Sequence, residues 1–455
     1  MINTMQKLIL FIVGLFVATV AFSQSDSTMR FSLKKAQEYA LQNNYDLINA
    51  KLDIYKAKKM VMETTAIGLP QANVSLSHNY FIDIPVTKVP AKFFDPSAAD
   101  GEMAELKFGT DHSSKIDFTV SQLIFSGSYI VGLQTAKIYR QLSETAAEKT
   151  KTEIMESITN SYYLVLIARA NQNILNNNLI TTQKLANETK AMFEQGLVEE
   201  IAYDQLRVTA MNLKNSVLMI ERQKDAAKDL LRIQLGLDLN QNIVLTDSLQ
   251  QLVDNVNIEG ELLKKLSVDS QLDYQLASIQ EKLMKKSLDR EKTTFLPTIS
   301  AFYNHQANLQ GNNFDLFKSG AEWMPANIVG VTVSLPLFTS GSRLAKISQA
   351  KVDYKKAQNT RIVAERSIRM GVVQAQKALL TANEKYINQT DNIKLTEKIF
   401  NQSAIKFQKG VIPSSELAQN QNQYLKSLSD YYQSVFELLA AQNKLNKLLN
   451  TYENK

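Results

Sequence analysis

Leu123-Ile124-Phe125-Ser126-Gly127-Ser128 and Leu337-Phe338-Thr339-Ser340-Gly341-Ser342 are two versions of one motif. Each ends a β-like stretch and opens a helix-like one. Upstream, the β-like stretches open at Leu69-Pro70 and at Leu296-Pro297. Downstream, the helix-like runs close at Phe193-Glu194-Gln195-Gly196-Leu197-Val198 and at Phe407-Gln408-Lys409-Gly410-Val411-Ile412. Gly127 to Gly196 and Gly341 to Gly410 both span 69 positions, by subtraction of their numbers. The chain therefore carries an internal duplication of two strands followed by a very long helix.

Composition narrows the class. The 455 residues include no cysteine, which excludes disulfides and thiolate metal sites. Hydrophobic residues make up 44% and charged residues 21%, the balance of a folded chain. The net charge of +6 raises nucleic-acid binding, but lysine and glutamate interleave along the helices without a basic block. Solvated helix faces account for that pattern, and nucleic acid is not an expected partner.

Residues 1–23 read as an export signal: Lys7, an apolar run from Leu8 to Ala21, then Ala21-Phe22-Ser23 as a small-x-small cleavage site. A run of about 14 residues is too short to span a bilayer comfortably. No later stretch reaches the ~18 apolar residues of a transmembrane helix, so membrane residence would need strands.

Candidate strands lie at about 71–83, 115–125, 298–310 and 328–338. Val74, Leu76, Tyr80 and Ile82 alternate with Asn73, Ser75, Ser77 and Asn79; Val329, Val331, Val333 and Leu335 alternate with Gly330, Thr332 and Ser334. Each stretch has about the ten residues that cross a bilayer when tilted. A soluble hairpin with one buried face would alternate in the same way. Export without a spanning helix favours the membrane. The intervening 84–114 and 311–327 are rich in Pro, Gly, Asp and Asn and read as surface loops. Four strands are too few for a closed barrel, which takes at least about eight, so several chains must share one. Two or three chains satisfy that count.

The helix-like runs contain no proline, and glycine only at Gly132 and Gly371. At 1.5 Å per residue each makes a rod of roughly 100 Å. Gly196 and Gly410 stand where a helix C-cap glycine would, and the chain returns through 198–235 and 414–450. Apolar residues at alternating steps of three and four, such as Leu213, Val217, Ile220 and Leu428, Val435, Leu438, make narrow coiled-coil seams. Shorter helical stretches at about 31–67 and 260–294 lead into each Leu-Pro. The first repeat thus covers 24–258, with a hairpin at 128–236 and a mostly irregular connector at 237–258. The second covers 259–455, with a hairpin at 342–450.

The duplicated layout, the Leu-Phe/Ile-Phe motif that runs into a glycine after each inner strand (Gly127 and Gly341) and the Phe-x-x-Gly-Leu-Val type tip resemble the TolC-like outer-membrane efflux proteins. The resemblance runs through the whole mature chain. It implies a mixed α+β membrane protein in which long helical hairpins form an α-barrel tunnel. The tunnel would continue into a transmembrane β-barrel, four strands per chain, closed by trimerisation. It implies residence in the outer membrane of a Gram-negative-type cell, with a large periplasmic portion. The expected function is a passive exit duct of a tripartite efflux or type I secretion system. Expected partners are two further copies, outer-membrane lipid, a periplasmic adaptor and an inner-membrane pump of RND, ABC or MFS type.

In such ducts the helix tips close the pore and dock the adaptor. The family's two constriction carboxylates map onto Glu416 and Gln419, so one is an amide here. A ring of three Glu416 would favour cations; an exposed glutamate in a first helical turn is also favoured by the helix dipole alone. The family's closing lock joins a Tyr and an Arg to an Asp. Those positions hold Phe407, Ile412 and Ala202, with Asp204 nearby, so the lock cannot form as such. The implied docking residues are Gly196, Leu197, Val198, Glu199 and Glu200 in the first tip and Gly410, Val411 and Pro413 in the second. The acidic first tip would meet a basic adaptor or Arg207.

His78, His112 and His305 show no ligand spacing, and no phosphate-binding glycine loop or nucleophile motif occurs. No cofactor, metal or enzymatic activity is expected. The competing class is a periplasmic coiled-coil adaptor or scaffold without a pore of its own.

Overall fold

The structure is a computed structural model describing residues 28–316, 318–450 and 452. The signal sequence at 1–23 lies outside the described residues. The chain begins with strand β1 (Met29–Phe31) and helices α1 (Leu33–Asn43) and α2 (Tyr45–Ala66). Strands β2 (Gln71–Tyr80), β3 (Val86–Pro90), β4 (Met103–Lys107) and β5 (His112–Ser126) follow. The first hairpin is α3 (Gly127–Glu194) and α4 (Glu200–Leu235). Then come β6 (Ile243–Leu245), α5 (Leu249–Asp254), α6 (Ile258–Leu263) and α7 (Leu272–Thr293). Strands β7 (Thr298–Gly311) and β8 (Met324–Ser334) lead to the second hairpin, α8 (Ser342–Gln408) and α9 (Ser414–Leu448).

Several elements differ from the sequence reading. The connector at 237–258 is not irregular: it contains β6 and α5, because β6 pairs in parallel with β1 through Met29↔Ile243 to Phe31↔Leu245. The single helix read at 31–67 breaks at Asn44, whose side chain accepts from Asp46 N and Leu47 N and so starts α2. The loop at 84–114 holds an antiparallel hairpin, β3 with β4. Strand β8 is shifted toward the N-terminus relative to 328–338, since it pairs from Met324↔Asn308 to Ser334↔Thr298.

The chain divides into two compact units. One comprises 53–144 and 277–361. Its centre is a four-stranded antiparallel sheet in the order β2-β5-β7-β8. Register gives this sheet two unlike faces. Val74, Leu76, Ile116, Phe118, Val120, Tyr303, Ala301, Val329 and Val331 share one face; Asn73, Ser75, Lys115, Asp117, Thr119, Asn304 and Gln306 share the other. The apolar face is uncovered: Val329 is 79% exposed, Val331 67% and Val74 69%. The outer edges of β2 and β8 have no strand partner among the described residues.

The duplicated glycine motif serves two different physical needs. At Gly127 a Cβ would meet Thr293 Cβ at 2.8 Å and Leu296 Cδ1 at 2.9 Å, so close approach requires glycine. Gly341 has open space around it but φ +80°, so the backbone turn requires it.

Of the described residues, the other unit comprises 28–52, 145–276, 362–450 and 452. Its core is built from the hairpin seams, with Ile158, Tyr162, Leu166, Leu213, Leu231, Leu379, Leu428 and Leu438 nearly inaccessible. Helices α4 and α9 pack against each other. Tyr162 Oη donates to Phe31 O at 3.0 Å, and Arg169 Nη1 donates to Leu245 O at 2.9 Å, tying α3 to the β1–β6 pair. No described helix is long and apolar enough to cross a membrane.

Candidate functional site

The two hairpin tips are built alike. Leu197 N donates to Met192 O at 2.9 Å and Gly196 N to Phe193 O at 2.8 Å. At the second tip Val411 N donates to Lys406 O and Gly410 N to Phe407 O, both at 2.9 Å. These are paired Schellman bonds, which satisfy the last helical carbonyls and require a left-handed residue. Gly196 and Gly410 both supply φ +74°. The chain then re-enters a helix at Glu200 and Ser414.

Behind the tips lies a second, smaller core of Leu185, Ala186, Leu206, Phe400, Leu417 and Tyr424. The half-buried Phe407 and Ile412 pack onto it. Two candidate gate residues are thus apolar wedges in the joint between hairpins. The rings of Phe400 and Tyr424 stack at 5.7 Å, 3° from parallel. Burial pushes the Tyr424 phenol above the ordinary tyrosine value, against a hydrogen bond with Asn178 that acts the other way.

Three polar contacts join the hairpins across this core. Gln421 Nε2 donates to Thr182 Oγ1 at 2.6 Å, Ser414 Oγ to Gln205 Oε1 at 2.7 Å, and Gln408 Nε2 to Glu188 Oε2 at 3.0 Å. Sequence reading passed over all of them. A signal was present for two: Ser414, Leu417, Gln421, Tyr424 and Leu428 step by three and four, which puts a serine and a glutamine on the apolar seam. Their partners on the other hairpin could not be paired without the fold.

The remaining candidates face solvent. Glu416 and Gln419 are exposed in the first turns of α9, and Glu199, Glu200 and Asp204 are exposed at the start of α4. Among the described residues, no hydrogen bond or ion pair links Asp204, Arg207 or Glu416 side chains to anything. Leu197 and Val411 project into solvent at 69% and 66% exposure, with Pro413 exposed and Val198 half-buried beside them. Charge differs between the tips: Glu194, Glu199, Glu200 and Asp204 surround the first, Lys406 and Lys409 the second. Among the described residues, no three His, Asp or Glu side chains gather as metal ligands would.

Two antiparallel helical hairpins related by duplication accompany four strands of membrane-spanning length. The family model for outer membrane efflux proteins matches residues 269–451. The outer membrane protein TolC of Vibrio cholerae serotype O1 (strain ATCC 39315 / El Tor Inaba N16961) is 21% identical over 356 residues, 78% of this chain and 76% of that one. The CmeC outer membrane channel of Campylobacter jejuni superposes with TM-score 0.70 at 18% identity, covering 92% of this chain and 85% of that one. CusC, a transmembrane channel protein, superposes with TM-score 0.71 at 15% identity, covering 92% and 91%. The second half of the chain thus matches the outer membrane efflux family, and the chain as a whole is similar to TolC-like channels in sequence and fold. The family model and the Vibrio cholerae relative indicate the Gram-negative-type outer membrane, with a large periplasmic portion.

Proposed function

We propose that three copies of this chain form one exit duct, a transmembrane β-barrel of twelve strands continuous with a helical tunnel. The carrying observation is the four-stranded sheet with an uncovered apolar face and two unpaired edges. Exposed edges in lipid leave backbone groups without partners, so the sheet must close with other copies. A polar face of Asn, Ser, Thr, Lys and Asp then lines water, and the valine-rich face meets lipid. The duct is passive, and it serves a tripartite efflux or type I secretion assembly through a periplasmic adaptor and an inner-membrane pump. Docking falls on Leu197, Val198, Val411 and Pro413, exposed or half-buried apolar residues beside the cap glycines. Glu199 and Glu200 add charge that suits a basic adaptor. The constriction is assigned to Glu416 and Gln419, with Phe407 and Ile412 setting how closely the hairpins pack, and Asp204 on the facing tip.

The test is single-channel recording from the purified mature protein in a planar bilayer, with its oligomeric mass measured in detergent. Discrete conductance from a trimer is expected. Folded protein that never inserts would sink the duct and favour the periplasmic scaffold.

A further inference from the structure

Two of the three histidines meet at the loop end of the sheet. His78 on β2 and His112, the first residue of β5, lie on the apolar face, because Tyr80 pairs with His112 and His78 with Ser114. Their rings stack at 5.4 Å, and His112 Nδ1 is 3.3 Å from His78 Nε2. His78 Nδ1 is 2.8 Å from the Oγ of the buried Ser114. Tyr80 packs on His112 at 4.9 Å.

The segment that joins β7 to β8 meets this pair through Phe314. Phe314 meets the His78 ring edge-on at 4.8 Å and the His112 ring at 6.1 Å. A cavity of about 420 Å³ lies between them, lined on the segment's side by Asn313, Asp315, Lys318 and Glu322. Asp315 pairs with Lys318 at 3.6 Å. Asp315, Lys318 and Glu322 are the charged groups that line it from the segment; β7 contributes only Leu309, Gln310 and Gly311 to the cavity, and Lys115 and Asp117 lie on the opposite face of the sheet.

We propose that the His78–His112 pair is a proton-operated clasp that holds the 312–323 segment on the sheet. The facing nitrogens can share one hydrogen: one ring donates and the other accepts. A pair carrying a single positive charge keeps that bond and strengthens it. When both rings are imidazolium, two N–H groups confront each other at 3.3 Å and the contact cannot persist. Asp315 and Glu322 then draw the rings away from each other, and Phe314 loses the surface on which it packs. Acidification, which supplies the second proton, therefore opens the clasp.

The only tryptophan of the chain, Trp323, ends the clasped segment and reports its state. The experiment is Trp323 fluorescence of the full mature protein in detergent, titrated from pH 8 to pH 5. A single transition to longer wavelength is expected in the wild type. His112→Phe and His78→Phe, which keep a ring in place but cannot titrate, should each abolish it. His305→Phe should leave it intact, since His305 Nδ1 donates to Asn327 Oδ1 on β8 instead. No transition in folded wild-type protein would overturn the clasp. So would a transition that survives both clasp variants, or one that vanishes only with His305.

Discussion

Gln421 donates a 2.6 Å hydrogen bond to Thr182, and the two side chains are 1% and 0% exposed. Thr182 Oγ1 in turn donates to Asn178 O at 2.8 Å, so its hydroxyl is used in both senses. A neutral hydroxyl–amide pair thus sits at the joint between hairpins where the resemblance led one to look for charged partners. Its strength does not depend on ionic strength as an exposed ion pair's does.

The two deletions of this contact should differ. Thr182→Val strands the Gln421 amide in the core and should cost about 1–3 kcal/mol, whereas Gln421→Leu leaves the Thr182 hydroxyl its carbonyl acceptor and should cost less. The double variant should be less destabilised than the sum of the two, because no polar group is then left unpaired. Denaturation of the four proteins in detergent measures the cycle; strict additivity would mean that the bond does not form. Loosened hairpins should also raise open-state dwell times in bilayer recordings.

Gly410 can be tested without disturbing any packing, because a Cβ there would have nothing within 4 Å. Only its φ of +74° opposes substitution. Gly410→Ala should cost the tip about 1–2 kcal/mol, and Gly410→Asn less. The Val411 N–H, bonded to Lys406 O, should lose roughly five- to thirtyfold of its hydrogen-exchange protection in the alanine variant. Equal protection in the two variants would show that the left-handed turn does not persist in solution.

Most of the fold was legible because it is local and repeated. The cap glycines, the absence of proline in α3 and α8 and the 69-residue spacing are all properties of contiguous chain. Strand faces were legible for the same reason, since period two is a local rule. What escaped was long-range. The parallel pairing of β1 with β6 joins residues more than two hundred positions apart. The 2.7 Å contact of Ser414 with Gln205 does the same, and neither partner is unusual in its own neighbourhood. Phe407 and Ile412 illustrate the middle case. Their positions were read from the tip motif, but that they would pack onto the small core behind the tips needed both hairpins in place.

Tyr163 makes the protein sensitive to alkali. Burial first, and the Asp247 carboxylate second, push its phenol up to about 12. A raised value means that the unfolded chain loses this proton first. The stability it contributes is complete below about pH 10 and is lost as pH rises toward 12. A shift of two units is worth ~2–3 kcal/mol. Tyr163→Phe should therefore flatten the fall in stability between pH 10 and 12 by about that amount while changing little at pH 7. A slope equal to wild type would mean that water reaches this phenol in the folded protein.

The proposed constriction at Glu416 can be tested through its charge. Its side chain is exposed in the first turn of α9 and has no partner among the described residues, while Gln419 beside it is uncharged. Three copies around an axis would therefore place three carboxylates that no ion pair among the described residues neutralises. Such a ring attracts cations and holds the three tips apart by repulsion. Glu416→Gln should lower cation selectivity and make the closed state more populated, with the effect largest at low salt, where screening is weakest. Glu200→Gln, equally exposed but at the start of α4, should leave selectivity nearly unchanged. If instead Glu200→Gln alone alters selectivity, the first tip lines the constriction and Glu416 serves only its own helix dipole.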